Sequence, residues 1–394
     1  MAETASLFSV LPPLSIYIHL PWCERKCPYC DFNSHAFRGE LPVAEYVDAL
    51  LKDLEYHIPE IWGRRLISVF IGGGTPSLFS AASINRLISG IRSRIPCVPN
   101  IEITLEANPG SCEADRFKGF LDAGVNRLSI GVQSFQGRQL KALGRIHDRK
   151  QAFTSVAIAH TAGFENINID LMYALPGQTV TEAAKDVETA ISQSPHHISC
   201  YQLTIEPDTY FYHHPPSLPS DDEKWEIQLA IQSLLNEARY YQYEISAYAK
   251  PDRQCKHNLN YWQFGDYIGI GAGAHSKISF SNRVIRTQKV SNPNTYMKLV
   301  STSDQIVEVQ ELSNEDVRFE FLLNALRLKN GFSTSLLRHR TGQSLEKLMA
   351  DFDQLQREGL LRFDKLHVRT TERGYRYLDD VLQRLLPHSA ITAV

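Results

Sequence analysis

The sequence of 394 residues has no apolar run long enough to cross a membrane, because its longest apolar stretches have only the length of strands. A membrane-spanning helix needs about 20 predominantly apolar residues. The opening residues Met1 to Thr4 also lack the charged segment and apolar core that begin a secretion signal. We therefore expect a cytoplasmic protein without a membrane span.

The sequence also lacks a strong excess of either charge, since 41 Lys and Arg stand against 44 Asp and Glu. This balance gives no general electrostatic reason to bind a phosphate backbone, so nucleic acid is not an expected partner. Cysteine is scarce, and an odd count of seven with only three clustered does not indicate a disulfide framework. The four scattered cysteines, expected to be mostly buried small hydrophobic residues, are Cys97, Cys112, Cys200 and Cys255.

The three clustered cysteines are Cys23, Cys27 and Cys30, and they follow the apolar run Leu14 to Leu20. The spacing C-x3-C-x2-C suits an iron–sulfur cluster, because each thiolate can bind one iron. A four-iron cluster held by three cysteines leaves its fourth iron open to another ligand. Two other interpretations of the spacing stay open, namely a zinc knuckle with His35 as the fourth ligand and three buried structural thiols.

Residues 14 to 206 alternate strand-like runs with amphipathic segments of helix length, which is the pattern of a parallel α/β sheet or barrel. Active sites of such folds lie at the carboxyl ends of the strands. The cysteine loop and the polar residues at the other strand ends are therefore expected to meet at one rim. The six predicted strands are Leu14–Leu20, Leu66–Ile71, Ile101–Glu106, Arg127–Val132, Asn166–Met172 and His197–Ile205.

Unusual residues stand at or near the ends of these strands. The run from Gly72 to Thr75 could form a tight turn or let a ligand approach the backbone, and it matches neither a Rossmann nor a P-loop pattern. Glu106, Gln133 and Asp170 are polar residues at the end of, or within, apolar strands. Buried polar groups need partners, which either a bound cofactor or a core hydrogen-bond network would supply.

A second motif is H-N-x-x-Y-W, residues 257 to 262. The imidazole of His257 could be an axial ligand to the metal of a macrocycle, with Tyr261 and Trp262 as flat surfaces against the ring. A hydrogen-bonded structural histidine is the simpler interpretation of this residue taken alone. Cys255 is a second candidate for the axial position.

The carboxyl-terminal residues form a different unit, in which helices precede two short strands and a final helix. This order resembles a winged-helix domain, and its nearly balanced charge makes DNA binding less expected than substrate covering or protein contact. We expect a barrel with the iron–sulfur loop over residues 1–210. Residues 211–312 would extend the barrel and carry H-N-x-x-Y-W, and residues 313–394 would form the winged-helix-like domain.

Five segments together resemble the oxygen-independent coproporphyrinogen III oxidase family and, within it, the heme chaperones of the radical S-adenosylmethionine superfamily. Their sequences are YIHLPWC, FIGGGTPS, EANP, GVQSF and HNLNYW. The resemblance covers nearly the whole chain. It implies a partial (β/α)6 TIM-like barrel followed by a winged-helix-like domain.

The resemblance also implies a set of cofactor-binding residues. Cys23, Cys27 and Cys30 would hold a [4Fe–4S] cluster whose open iron chelates S-adenosylmethionine, and reduction of the cluster permits cleavage of that cofactor to a radical. Tyr29 would pack beside the cofactor. Arg145, considered alone, could equally belong to a surface ion pair. The positions that match S-adenosylmethionine-binding positions of the family are Tyr17, Tyr29, Gly73, Gly74, Thr75, Glu106, Gln133, Arg145 and Asp170.

The sequence departs from the oxidases at two places. Phe32 stands where they have a fourth cysteine, and their extension ahead of the first strand is missing. The resemblance therefore favours a heme chaperone, with His257 as the axial residue, over an enzyme. Coproporphyrinogen III oxidation, in which propionate side chains become vinyl groups, is the alternative, and a cluster-bearing regulator is a third class. The implied partners are heme, heme-acceptor proteins such as membrane respiratory enzymes, and a second copy of the chain.

Overall fold

The computed structural model describes residues 8, 10–37, 39–111, 114–302 and 306–387. Residues 1–4 and Cys112, for which the sequence supports predictions, lie outside this part. The strands, numbered in chain order, are β1 (Leu14–Leu20), β2 (Trp22–Cys23), β3 (His35–Ala36), β4 (Leu66–Gly73), β5 (Cys97–Ala107), β6 (Arg127–Gln133), β7 (Ile167–Tyr173), β8 (His197–Gln202), β9 (Tyr241–Gln242), β10 (Ala247–Ala249), β11 (Asp266–Ile270), β12 (His275–Ser279), β13 (Val284–Lys289), β14 (Ile306–Glu311), β15 (Phe332–Ser333), β16 (Leu361–Phe363) and β17 (His367–Thr370).

Helices follow most of the central strands. Several begin with a capping box, in which an Asp, Ser or Thr side chain and a residue three positions later satisfy the free amides of the first turn. The helices are α1 (Val43–His57), α2 (Ala81–Arg94), α3 (Ala114–Asp122), α4 (Gly137–Ala142), α5 (Arg149–Thr161), α6 (Val180–Ser192), α7 (Tyr210–His213), α8 (Asp221–Glu237), α9 (Lys256–Trp262), α10 (Pro293–Leu299), α11 (Asn314–Ala325), α12 (Thr334–Thr341), α13 (Met349–Arg357), α14 (Glu372–Arg376) and α15 (Leu378–Gln383).

The main sheet has twelve strands in the order β14-β13-β12-β11-β1-β4-β5-β6-β7-β8-β10-β9. All neighbours from β1 to β8 are parallel, and β11 joins β1 in parallel on the other side. The strands at both edges pair in the antiparallel sense. The six central strands are the six that the sequence predicts, and the predicted fold class of a partial barrel is confirmed.

The two faces of the central sheet differ in character. On β1, the apolar residues Leu14, Ile16 and Ile18 belong to the large core shared with α1 and α2. Because side chains alternate along a strand, the residues between them face the inside of the curved sheet. That inner face carries many buried polar residues, so it must be satisfied by internal hydrogen bonds or by ligands. They include Ser15, Ser68, Glu102, Arg127, Ser129, Asn168 and His197.

The H-N-x-x-Y-W segment forms α9, which lies against the inner face near the amino ends of the strands. The ring of His257 contacts Ser68 on β4, and its backbone amide donates to Glu102 on β5; these two strand residues are paired with each other in the sheet. The carboxyl ends of the same strands carry Gly73 and Ala107. The cysteine loop and α9 therefore lie at opposite ends of the barrel.

The carboxyl-terminal unit has its own apolar core, with α11, α12 and α13 packed beside a small sheet in the order β15-β17-β16. This order confirms the predicted winged-helix-like unit, and β15 adds a third strand to the two expected. The same core includes Phe264 and Val284 from the barrel extension, so the unit packs against the residues that follow α9. Within the described residues, no helix has the length and apolar character needed to cross a membrane.

Candidate functional site

A cavity of about 450 Å³ opens at the carboxyl ends of the central strands. This volume lies in the range of small-molecule and cofactor sites. It is lined by the cysteine loop together with residues of five further strands or of the loops that follow them. Of the predicted cluster and cofactor positions, those that line the cavity are Cys23, Cys27, Tyr29, Cys30, Gly73, Gly74, Thr75, Glu106, Gln133, Arg145 and Asp170.

The cysteine loop presents three partly exposed thiols to this cavity. The Cys30 amide donates to the Cys27 carbonyl at 3.1 Å, and the turn that this hydrogen bond closes brings Cys27 and Cys30 close together. Thr75 Oγ1 donates to Cys23 Sγ at 3.5 Å, and Arg145 Nη1 donates to Cys27 Sγ at 3.5 Å. Burial raises the pKa of the Cys23 and Cys30 thiols. These donors are suited to stabilising thiolates that bind metal.

The geometry of the loop bears on the kind of metal group it fits. Across the described ranges, no three His, Cys, Asp or Glu side chains converge tightly enough to hold one metal ion. A zinc ion needs ligand sulfurs at about 2.3 Å from a common centre. His35, the fourth ligand considered for zinc, instead shares a hydrogen bond with Asn33 Oδ1 at 3.1 Å. The donor set fits a multi-iron cluster, whose separate irons each take one thiolate, better than a single ion.

The glycine run after β4 packs against the end of β1. The Gly74 amide donates to the Leu20 carbonyl and the Thr75 amide to the Trp22 carbonyl, both at 2.8 Å. A Cβ atom on Gly74 would lie 2.5 Å from the Trp22 carbonyl oxygen, so only glycine fits there. The run is therefore a tight turn, and it also lets the backbone form a wall of the cavity.

Two buried carboxylates, Glu106 and Asp170, face the cavity, and their hydrogen bonds within the protein do not fully compensate for their loss of hydration. Glu106 Oε2 accepts from the Gly73 amide at 3.2 Å, while burial and the neighbouring Asp170 raise the pKa of Glu106 to about 8. Asp170 accepts from Ser129 Oγ at 2.9 Å and Asn168 Nδ2 at 2.7 Å, yet burial still raises its pKa. A ligand that brings hydroxyl or ammonium groups would supply the missing partners.

Gln133 and Arg145 complete the wall. Gln133 ends β6 with a φ of 67°, a left-handed conformation that costs a non-glycine residue about 1–2 kcal/mol. Arg145 is not a surface ion-pair residue, because its guanidinium lies in the cavity wall and donates to the Gly131 carbonyl at 2.9 Å. Its buried Nε has no hydrogen-bond partner among the described residues.

Tyr17 is the predicted cofactor residue that the structure does not bring to the cavity wall. Its hydroxyl lies 3.1 Å from His19 Nδ1, and its ring stacks on Phe70 inside the barrel. The ring centroid is 6.4 Å from that of His257. Tyr17 therefore lies between the cavity and α9.

The amino end of α9 is held by the carboxylate of Glu102. This side chain accepts from the backbone amides of Lys256 and His257, each at 3.1 Å, and from Cys255 Sγ at 3.5 Å. The helix has no side-chain cap of its own, and a carboxylate at a helix amino terminus is stabilising. Sequence analysis did not identify Glu102. The sequence feature that could have identified it is the alternation of the polar residues Glu102, Thr104 and Glu106 with apolar residues in β5.

His257 and Cys255 differ as candidate metal ligands. His257 is partly exposed, and its Nδ1 shares a hydrogen bond with Ser68 Oγ at 3.2 Å. Burial and the nearby Arg127 guanidinium lower the pKa of His257 to about 3, so the imidazole is neutral as a metal ligand requires. Cys255 is fully buried, and burial raises its pKa to about 12, so it stays a thiol. His257 is the better candidate.

The opposite face of α9 meets the carboxyl-terminal unit. The Arg327 guanidinium lies 4.4 Å from the ring centroid of Trp262, and Arg340 Nε donates to the Gln263 carbonyl at 3.1 Å. Phe264 and Phe321 pack edge to face, with centroids 6.0 Å apart. His257 does not line the cavity at the rim, so the structure keeps the two candidate sites apart.

Two known families match the sequence. The radical SAM superfamily matches residues 17–190, and the HemN C-terminal domain matches residues 312–377. Among relatives, the heme chaperone HemW of Escherichia coli strain K12 is 46% identical over 377 residues, which cover 95% of this chain and 99% of that protein. The heme chaperone HemW of Bacillus subtilis strain 168 is 36% identical over 367 residues, which cover 91% and 96%.

Among solved structures, coproporphyrinogen III oxidase (HemN) from Escherichia coli, described as a radical SAM enzyme, has the same fold. The TM-score is 0.81, and the match covers 95% of this chain and 90% of that one. The sequence identity is 23%, so this likeness concerns the fold alone.

Proposed function

Because the chain belongs to the family of the heme chaperone HemW within the radical SAM superfamily, we propose that it binds heme and passes it to acceptor proteins. The observation that carries the proposal is the neutral imidazole of His257, placed in the H-N-x-x-Y-W helix at the end of the barrel away from the rim cavity. This separation gives heme and the other cofactors different places on one chain.

At the rim, Cys23, Cys27 and Cys30 would hold a [4Fe–4S] cluster. When bound there, such a cluster with S-adenosylmethionine supplies radical chemistry. The residues of this chain would bind and orient S-adenosylmethionine. Glu106 and Asp170, which line the cavity, would accept hydrogen bonds from ammonium and hydroxyl groups of the cofactor, and the Arg145 guanidinium would pair with its carboxylate.

At the other end, His257 would be the axial ligand of heme, which is the cargo. The buried Cys255 thiol is less suited, because a thiolate would have to form in an apolar site. On family grounds we extend the proposal to a cytoplasmic location, to membrane respiratory enzymes as acceptors and to a homodimer.

The second candidate function is oxidation of coproporphyrinogen III, favoured by the rim cavity, which is open beside the three cysteines. The side chain of Phe32, which replaces the oxidases' fourth cysteine, is 58% exposed and lines the cavity mouth. Product analysis under anaerobic reducing conditions separates the two functions. Catalytic formation of protoporphyrinogen would favour the oxidase.

The test is an anaerobic heme titration of cluster-reconstituted protein, followed by the Soret band. Wild type, His257→Ala and the control His213→Ala, an exposed histidine at the end of α7, are compared. We expect saturable one-site binding in wild type and the control, and affinity at least about tenfold weaker in His257→Ala, since loss of an axial ligand removes a metal bond. Equal, unsaturable uptake by all three would mean adventitious heme and would put the oxidase first.

A further inference from the structure

Helix α9 is held on two faces by different parts of the molecule. His257 faces the barrel interior, against Ser68 and Phe70, whereas Trp262 faces Arg327 of the carboxyl-terminal unit. Five residues of helix separate the two side chains by about 140° around the axis. A flat macrocycle therefore cannot reach both sides of the motif while α9 stays in this position.

The polar part of the contact with the carboxyl-terminal unit is poorly satisfied. Trp262 Nε1, Arg327 Nε and Glu244 Oε2 are buried without a hydrogen-bond partner among the described residues. The ion pair between Arg327 Nη2 and Glu244 Oε2 is long, at 3.9 Å. Buried polar atoms without partners raise the free energy of the closed arrangement, and water would satisfy them in an open one.

We propose that the carboxyl-terminal unit is a cover over α9 that opens at the contact between Arg327 and Trp262. Opening frees one face of α9, so the helix can lift from Glu102 and present H-N-x-x-Y-W to heme. This inference rests on the proposed heme function for its purpose. The movement itself can be measured without heme.

Cys255 provides the measurement, because its thiol is fully buried at the start of α9 and becomes reachable only when that end of the helix leaves Glu102. Cys200, buried in β8, is an internal reference in the same molecule. The full-length, cluster-reconstituted protein is alkylated anaerobically with N-ethylmaleimide. Mass spectrometry of the peptides then gives a separate rate for each cysteine.

The variants are Arg327→Ala and its matched control Arg376→Ala. Arg376 also belongs to the carboxyl-terminal unit and lies 3.6 Å from the ring centroid of a tryptophan, Trp225 on α8, away from the motif. We expect alkylation of Cys255 to be about fivefold faster in Arg327→Ala, the factor that corresponds to loss of one partly buried cation–π contact. Arg376→Ala should leave the alkylation rate of Cys255 unchanged. Arg327→Lys, which keeps a cation at this position, should bring that rate most of the way back to the slower wild-type value.

Three results would overturn the cover. They are an unchanged Cys255 alkylation rate in Arg327→Ala, an equal rise in Arg376→Ala, and a parallel rise at Cys200 that shows general loosening.

Stopped-flow heme uptake then tests whether opening of the cover admits heme, with faster association expected only in Arg327→Ala. Faster alkylation without faster uptake would mean that α9 moves without admitting heme. Absence of specific heme binding in wild type would instead contradict the proposed function while leaving the measured movement intact.

Discussion

The two ends of the barrel use carboxylates on the same strand for different purposes. Strand β5 carries Glu106 toward the open rim and Glu102 toward the closed amino end. Among the described residues, Glu106 accepts from the Gly73 amide alone and its pKa is raised to about 8, whereas Glu102 accepts from three groups at the start of α9. The comparison shows that the carboxylate at the rim keeps hydrogen-bond acceptors free for a ligand, whereas the carboxylate at the amino end uses its acceptors to hold a helix.

The largest effect is expected from Cys27→Ala, which should abolish the brown colour and iron content of reconstituted protein, because one of three thiolate ligands is lost. Cys97→Ala, at a partly exposed cysteine far from the loop in sequence, is the control and should keep both. Heme binding should survive in both variants if the two ends are independent. A brown Cys27→Ala protein with normal iron would contradict the ligand assignment.

The rim could be predicted from the sequence because each of its parts is marked locally. A cysteine loop, a glycine run and single polar residues stand where apolar strands end, and parallel strands bring their carboxyl ends together. Tyr17 is the exception, since the alternation of β1 turns it inward below the cavity. Its motif gives its position in the chain without its depth in the barrel.

The amino end could be predicted only as a motif. His257 and Trp262 are visible in H-N-x-x-Y-W, but the motif does not identify their partners. Glu102 is marked only as a polar residue in a largely apolar strand, and Arg327 lies in a segment without a recognisable pattern. Only folding brings a strand residue and a residue after α11 to opposite faces of one helix. No sequence spacing encodes that arrangement.

The second prediction sharpens the comparison at the rim. Glu106→Gln should weaken S-adenosylmethionine binding about 10- to 100-fold, because a hydrogen bond to a charged group contributes about 1.5–3 kcal/mol. Calorimetric titration of cluster-reconstituted protein measures it. Heme affinity should stay within about twofold of wild type, and a comparable loss for both ligands would show that the two ends are not separate.

The third prediction is the counterpart at the amino end. Glu102→Gln keeps the shape of the side chain but weakens its hold on the amides at the start of α9, so the helix should lift more readily and heme should bind about fivefold more tightly. Equilibrium titration at the Soret band measures this change. Calorimetry should find S-adenosylmethionine affinity unchanged. A loss of cofactor binding with normal heme affinity would reverse the assignment of the two carboxylates.

The smallest effect concerns pH and the unliganded rim. The folded-state pKa of Glu106, about 8, lies above its ordinary value of 4.5, so between these values the folded protein binds one proton more than the unfolded chain. Stability contributed by this group is therefore lost as pH rises through that window, by up to about 1.4 kcal/mol per pH unit. In Glu106→Gln this contribution to the slope should vanish. Between pH 6 and 7 the melting temperature of wild type should fall about 2 °C more than that of the variant, as differential scanning fluorimetry without cofactor can measure. Gln202→Ala, at an uncharged residue that lines the same cavity, is the control and should keep the wild-type slope. Equal slopes in wild type and Glu106→Gln would mean that the rim carboxylate is already compensated, and the contrast between the two ends would then fail.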